Sequence, residues 1–110
     1  MKLALLLCAV ALPAKADETR ERVMGKIADV IAIQQLCPEL KPNFSIVQVG
    51  ILAFKIDMAE GTPDYLWLQR KTREQINALR AHGGHDMACL TGNTLYGPGG
   101  LNGPNMMVPR

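Results

Sequence analysis

The sequence predicts an all-α protein: a small domain of three helices plus one short helical turn, closed by one disulfide and ending in an irregular Gly/Pro-rich segment. Three observations predict it. Apolar residues recur at three-four spacing over residues 23–34, 44–58 and 65–79, the period of a helix with a buried face. Turn-formers separate these runs: Pro38 and Pro42, then Gly61-Thr62-Pro63, then Gly83-Gly84. Cys37 and Cys89 remain as an even pair once an N-terminal leader is set aside.

That leader is residues 1–16. Lys2 supplies the charged start, Leu3 to Leu12 the apolar run, and Ala14-Lys15-Ala16 a small-x-small cleavage site. The apolar run is too short to span a bilayer, and no later stretch offers an uncharged span, so no integral membrane segment is expected after cleavage. Cys8 follows Leu5-Leu6-Leu7, whereas lipid attachment needs a small residue just before the cysteine. Cleavage leaves 94 of the 110 residues, enough for one modest core, read as a helical domain over 17–96 and a Gly/Pro-rich apolar segment over 97–110. The leader carries two of the twelve basic residues, Lys2 and Lys15, and none of the ten acidic ones, so the remainder is balanced at ten of each. That balance gives no reason to expect a nucleic-acid partner. The short leader indicates a periplasmic or secreted protein.

The first helix runs from Asp17 to Leu36. Asp17, Glu18 and Glu21 complement the dipole at its start, and Val23, Ile27, Val30, Ile31 and Gln34 form its buried stripe. Gly25 weakens it by about 1 kcal/mol relative to Ala, and Pro38 ends it just after Cys37. Asn43 stands where a second helix would be capped. Asn43-Phe44-Ser45 also matches a glycosylation acceptor, but these residues fit a helix start better.

The second helix, Phe44 to Glu60, is the most apolar stretch. Phe44, Val47, Ile51, Phe54 and Met58 make one stripe, and Val49, Leu52 and Ile56 an opposite one. The pattern predicts a helix sandwiched between the other two, with the core centred on Ile51 and Phe54. A strand is the rival reading of Ile46, Val47, Val49 and Ile51, but no other run could supply sheet neighbours on both sides. Gly61 is placed to end this helix in the left-handed conformation.

Thr62-Pro63-Asp64 then reads as cap, first-turn proline and dipole-favoured acid. The third helix extends to about His82, with Tyr65, Leu68, Thr72, Ile76 and Leu79 facing inward. Asp86 to Leu90 makes one short turn that carries Cys89 back to Cys37. A disulfide between them closes a loop of about 53 residues, worth roughly 4 kcal/mol on the chain-entropy estimate. The last twenty residues are rich in Gly and Pro yet hold Leu95, Tyr96, Leu101, Met106, Met107 and Val108, more apolar side chains than a flexible linker carries. They are expected to drape over the helices.

Three constellations could bind something. His82, His85 and Asp86 bring imidazole and carboxylate donors together around two glycines, a possible metal set for zinc, copper or nickel; the competing role is a helix stop with a dipole-favoured His82. Arg70, Arg73 and Arg80 share a helical face with Asn77 and could hold an anion, although a solvated face with an Arg70–Glu74 pair explains them as well. Leu101, Met106, Met107 and Val108 could meet a partner protein, methionine adapting well to irregular apolar surfaces. There is no nucleophile elbow, phosphate-binding glycine loop, metalloprotease helix or Cys-x-x-Cys pair, and no cofactor motif.

The ending Cys89-x-x-Gly92 with Leu95-Tyr96-Gly97-Pro98-x-Gly100, and the Cys37-Pro38 and Pro42-Asn43 turn, resembles small exported bacterial proteins of unassigned function. In outline alone, leader, helices and one long-loop disulfide are similar to the HdeA-type periplasmic acid-stress chaperones, with no shared motif and no functional residue carried over. The sequence therefore predicts a non-catalytic envelope protein that binds another protein, as accessory subunit, inhibitor or chaperone. A periplasmic metal carrier using His82, His85 and Asp86 is the alternative.

Overall fold

Helix α1, Lys2–Leu36, is the element around which the rest is packed. The structure, a computed structural model, describes residues 2–110, with side chains from residue 18 onward. The signal-peptide reading of residues 1–16 lies outside the residues whose side chains are described. After α1 come β1 (Leu40–Pro42), α2 (Phe44–Ala53), α3 (Pro63–Ala81), α4 (His85–Thr91), a π-helical turn (Gly92–Tyr96) and β2 (Met107–Pro109). The fold is all-α apart from the antiparallel β1–β2 ribbon, in which Leu40 faces Pro109, Lys41 faces Val108 and Pro42 faces Met107.

Two apolar clusters divide the core, and α1 supplies both. Met24, Ile27 and Ala28 meet Ile56 and Leu68, with Val47, Ile51, Phe54 and Trp67 packed at the edge. Further along, Val30 and Ile33 of α1, and Cys37 just past its end, meet Leu40, Ala88, Tyr96, Met106 and Met107. The small Ala28 and Ala32, one turn apart and fully buried, let neighbouring elements come close to the α1 backbone. Helices α1 and α3 form the closest pair, and α3 buries Leu68, Thr72 and Ile76 as its spacing predicts.

The expectation for the second helix is corrected. It stops at Ala53, not Glu60, and none of its residues is fully buried. The stop is local: Lys55 takes a left-handed backbone (φ 51°), its N–H bonds to Leu52 O at 3.3 Å, and Ile56 N–H reaches back to Ile51 O at 3.0 Å. This is a Schellman closure with lysine where glycine is usual. Gly61 does have a positive φ, but in the turn before α3 rather than at a helix end. Of the second predicted stripe, Val49, Leu52 and Ile56, only Ile56 is buried, because the closure turns it back into the core. Helix α1 takes the central place because it is long enough to pass through both clusters, whereas ten residues span only about 15 Å.

Helix caps divide in the same way. Thr62 Oγ1 accepts from Tyr65 N–H at 3.3 Å and Pro63 opens α3, as the sequence indicates. Asn43 occupies the cap position of α2 without a side-chain bond; its backbone N–H instead donates to Met106 O at 2.8 Å.

The C-terminal segment is built into the core. Tyr96 and Met107 are fully buried and Met106 nearly so. Gly92 packs closely there: a Cβ would lie 2.6 Å from Leu40 Cδ1 and 3.0 Å from Ile33 Cγ2, so those side chains would have to shift. The disulfide joins Cys37 to Cys89 with Cα atoms 5.2 Å apart, tying the end of α1 to α4.

Candidate functional site

Among the described residues, the outer face of α2 gathers several of the large apolar side chains left exposed. At 100° per residue, Val47, Gly50, Ile51 and Phe54 occupy an inner arc of about 100°. Gly50 lets this arc sit on α1, where an added Cβ would meet Val23 Cγ1 at 3.3 Å. The opposite arc is about twice as wide. It presents Phe44, Val49 and Leu52 at 72%, 65% and 68% exposure and Ile46 at 42%. Ser45 and Gln48 are its only polar side chains, and no charge occurs between Lys41 and Lys55, both of which are exposed.

A second site surrounds the disulfide. Cys37 and Cys89 bring Glu39, two residues past Cys37, against His85, one helical turn before Cys89. His85 Nε2 lies 2.6 Å from Glu39 Oε2, and its Nδ1 lies 3.0 Å from Asp86 Oδ1. Cys89 Sγ is 3.5 Å from His85 Nε2 and 3.6 Å from Glu39 Oε2; in the disulfide it carries no proton to donate. The hydrogen bonds to Asp86 and Glu39 hold the His85 pKa above its ordinary value.

The residues predicted from sequence fall in different places. His85 and Asp86 come together, but His82 is the exposed C-cap of α3 and takes no part in the cluster. Glu39 is the donor that motif reading passes over. Its signal was present, because any Cys37–Cys89 bond forces Cys37-x-Glu39 against His85-x-x-x-Cys89. Arg70, Arg73 and Arg80 are all exposed, and Glu74 pairs with Lys71 at 3.2 Å instead of with Arg70. Of the predicted partner-binding residues, only Leu101 is fully exposed, at 82%. Val108 is half-buried in β2, and Met106 and Met107 fill the core beside Tyr96, which leaves them almost no surface to offer a partner.

Among the clefts that flank the α1–α3 pair, two are described. One, of about 760 Å³, is lined by Glu21, Lys26, Asp29, Trp67 and Lys71, whose mixed charges select no single ligand sign. The other, of about 330 Å³, is lined mainly by Ile31, Met58, Tyr65, Leu68 and Ile76. Among the described residues, no helix is long and apolar enough to cross a membrane. The chain matches no protein-family model, no curated protein and no solved structure.

Proposed function

We propose that this is a small exported, non-catalytic binding protein whose contact surface is the outer arc of α2. Its partner is another polypeptide that offers an uncharged apolar segment, bordered by acidic side chains to meet Lys41 and Lys55. The observation that carries this reading is a ten-residue helix with no charge, no fully buried residue and four large apolar side chains turned to solvent. Exposed apolar area of this size opposes solubility unless something covers it, and aromatic and aliphatic anchors of this type dominate interface energetics. The scaffold behind it is suited to presenting such a face: the disulfide and the Tyr96 anchor stiffen the far end, while α2 rests on its narrow inner arc. A bilayer surface fits less well, because interfacial helices carry a basic polar face and α2 has none.

The test is site-specific photocrosslinking in the exporting cell, with a benzophenone side chain placed in turn at Phe44, Val49 and Leu52, and at Arg73 as control. One discrete adduct to another polypeptide from the α2 positions, absent from Arg73, is expected. Adducts to lipid, or the same diffuse pattern from all four positions, would overturn the reading. An adduct of twice the chain mass would overturn the choice of a different polypeptide and make the occupant a second copy.

A further inference from the structure

The donors around the disulfide have a geometry that structural support does not require. Cys37 Sγ, Glu39 carboxylate, His85 imidazole and Cys89 Sγ each offer one ligand atom, and these atoms lie within 4.8 Å of one another. Two sulfurs, one nitrogen and one oxygen are donor types that zinc takes, and the sulfurs, bonded to each other here, must part to reach the separations of a tetrahedral site. Asp86 adds an independent element. It accepts from Nδ1 of His85 at 3.0 Å, which fixes the ring and directs Nε2 toward Glu39 Oε2 and Cys89 Sγ. A carboxylate behind a histidine in this way orients metal-bound imidazoles and raises their basicity.

While the S–S bond stands, the sulfurs are poor donors and the set is incomplete. We infer that in the dithiol state Cys37, Glu39, His85 and Cys89 bind one zinc ion, with Asp86 orienting His85. The change of state needs a dithiol or phosphine reductant; a phosphine is oxidised to its oxide, water supplying the oxygen and the two thiol protons. With a dithiol, the protein S–S bond breaks, an S–S bond forms in the reductant, and two electrons and two protons pass to Cys37 and Cys89. Zinc then displaces the two thiol protons, giving a site of two thiolates, one carboxylate and one neutral imidazole with net charge −1. Zinc and disulfide would thus clasp the same two elements, the end of α1 and helix α4, in exclusive states. The inference stands apart from the proposed binding role of α2, which lies on neither element.

The experiment uses the full chain carrying Cys8→Ser, so that only Cys37 and Cys89 supply thiols. Protein reduced with a phosphine and desalted without oxygen is titrated with Co²⁺, then with Zn²⁺, while far-ultraviolet circular dichroism follows the fold. One Co²⁺ per chain should give tetrahedral d–d bands with a thiolate-to-cobalt charge-transfer band, and Zn²⁺ should displace it. His85→Ala and Glu39→Ala should each weaken binding by at least about tenfold, and His82→Ala should leave it unchanged. The disulfide form should give no charge-transfer band. If reduction unfolds the apo chain, zinc should restore the helical signal in the parent and not in His85→Ala. Absence of binding by the reduced parent, failure of zinc to restore a lost fold, or equal binding by the parent and both variants would overturn the site.

Discussion

The Tyr96 phenol donates a 2.5 Å hydrogen bond to Asp29 Oδ2, joining residues 67 positions apart and pinning the C-terminal segment to α1. Asn102 Nδ2 donates to the same phenolic oxygen at 2.8 Å, so a fully buried hydroxyl has both roles filled. Burial raises the pKa of Asp29, against the opposing effect of the phenol bond, and burial followed by the Asp29 contact pushes that of Tyr96 up.

Tyr96→Phe would leave the half-buried Asp29 carboxylate without this partner and should cost about 1–3 kcal/mol in urea unfolding. Asp29→Asn keeps an oxygen acceptor and relieves the burial of charge, so it should cost less. Equal losses in the two variants would show that the bond is not what holds the segment.

Deletion of the Met107 side chain tests the same anchoring from the apolar side. Met107→Ala should cost about 2–5 kcal/mol, the range for large-to-small core changes. Leu101→Ala, in the same segment but exposed, should stay within about 0.5 kcal/mol. Denaturant midpoints that rank the pair the other way would contradict the packing described here.

Acid stability should depend on Asp64. The Arg20 hydrogen bond at 2.5 Å, together with the backbone N–H of Asp57, holds the Asp64 pKa below its ordinary value. A carboxylate with a depressed folded pKa contributes stability that is fully present above its unfolded pKa, about 3.9. That contribution is lost as pH falls through the folded value. Asp29, shifted the other way, contributes most below its unfolded pKa and loses that contribution as pH rises through its folded value. Asp64→Asn should therefore destabilise the protein at neutral pH by about 1 kcal/mol and remove part of its loss of stability on acidification. An unchanged pH profile would contradict the assignment.

The disulfide and the leader can be checked on one sample. Chain recovered from the cell envelope should have the mass of residues 17–110 and no thiol reactive to Ellman reagent after denaturation. Cys37→Ser should unfold at markedly lower denaturant, the loop-closure estimate being roughly 4 kcal/mol. Retained residues 1–16 or two reactive thiols would each refute one half.

What the sequence made legible is chemistry fixed by a few residues in a row. Thr62-Pro63 named its own cap and first turn, Gly83-Gly84 its own stop, and cysteine parity its own bridge. The place of α2 was not legible, because an apolar helix reports what it could bury and says nothing of whether this chain supplies the cover. Its early end was hidden as well, since lysine at position 55 is no ordinary signal for a left-handed closure. The Gly- and Pro-rich composition of the last residues obscured how deeply Tyr96 and Met107 are set. Glu39 was legible only after the disulfide was accepted, since its role follows from its spacing to Cys37.

The claim that α2 is the contact surface is tested most directly by the affinity of the crosslinked partner, once isolated, for the parent protein and for the Val49→Lys/Leu52→Lys variant. Both side chains are exposed, so the variant should unfold at the same temperature as the parent. Loss of two central apolar anchors should weaken binding by at least about thirtyfold, the equivalent of roughly 2 kcal/mol at an interface hot spot. Equal dissociation constants for parent and variant, with the fold intact, would contradict the account.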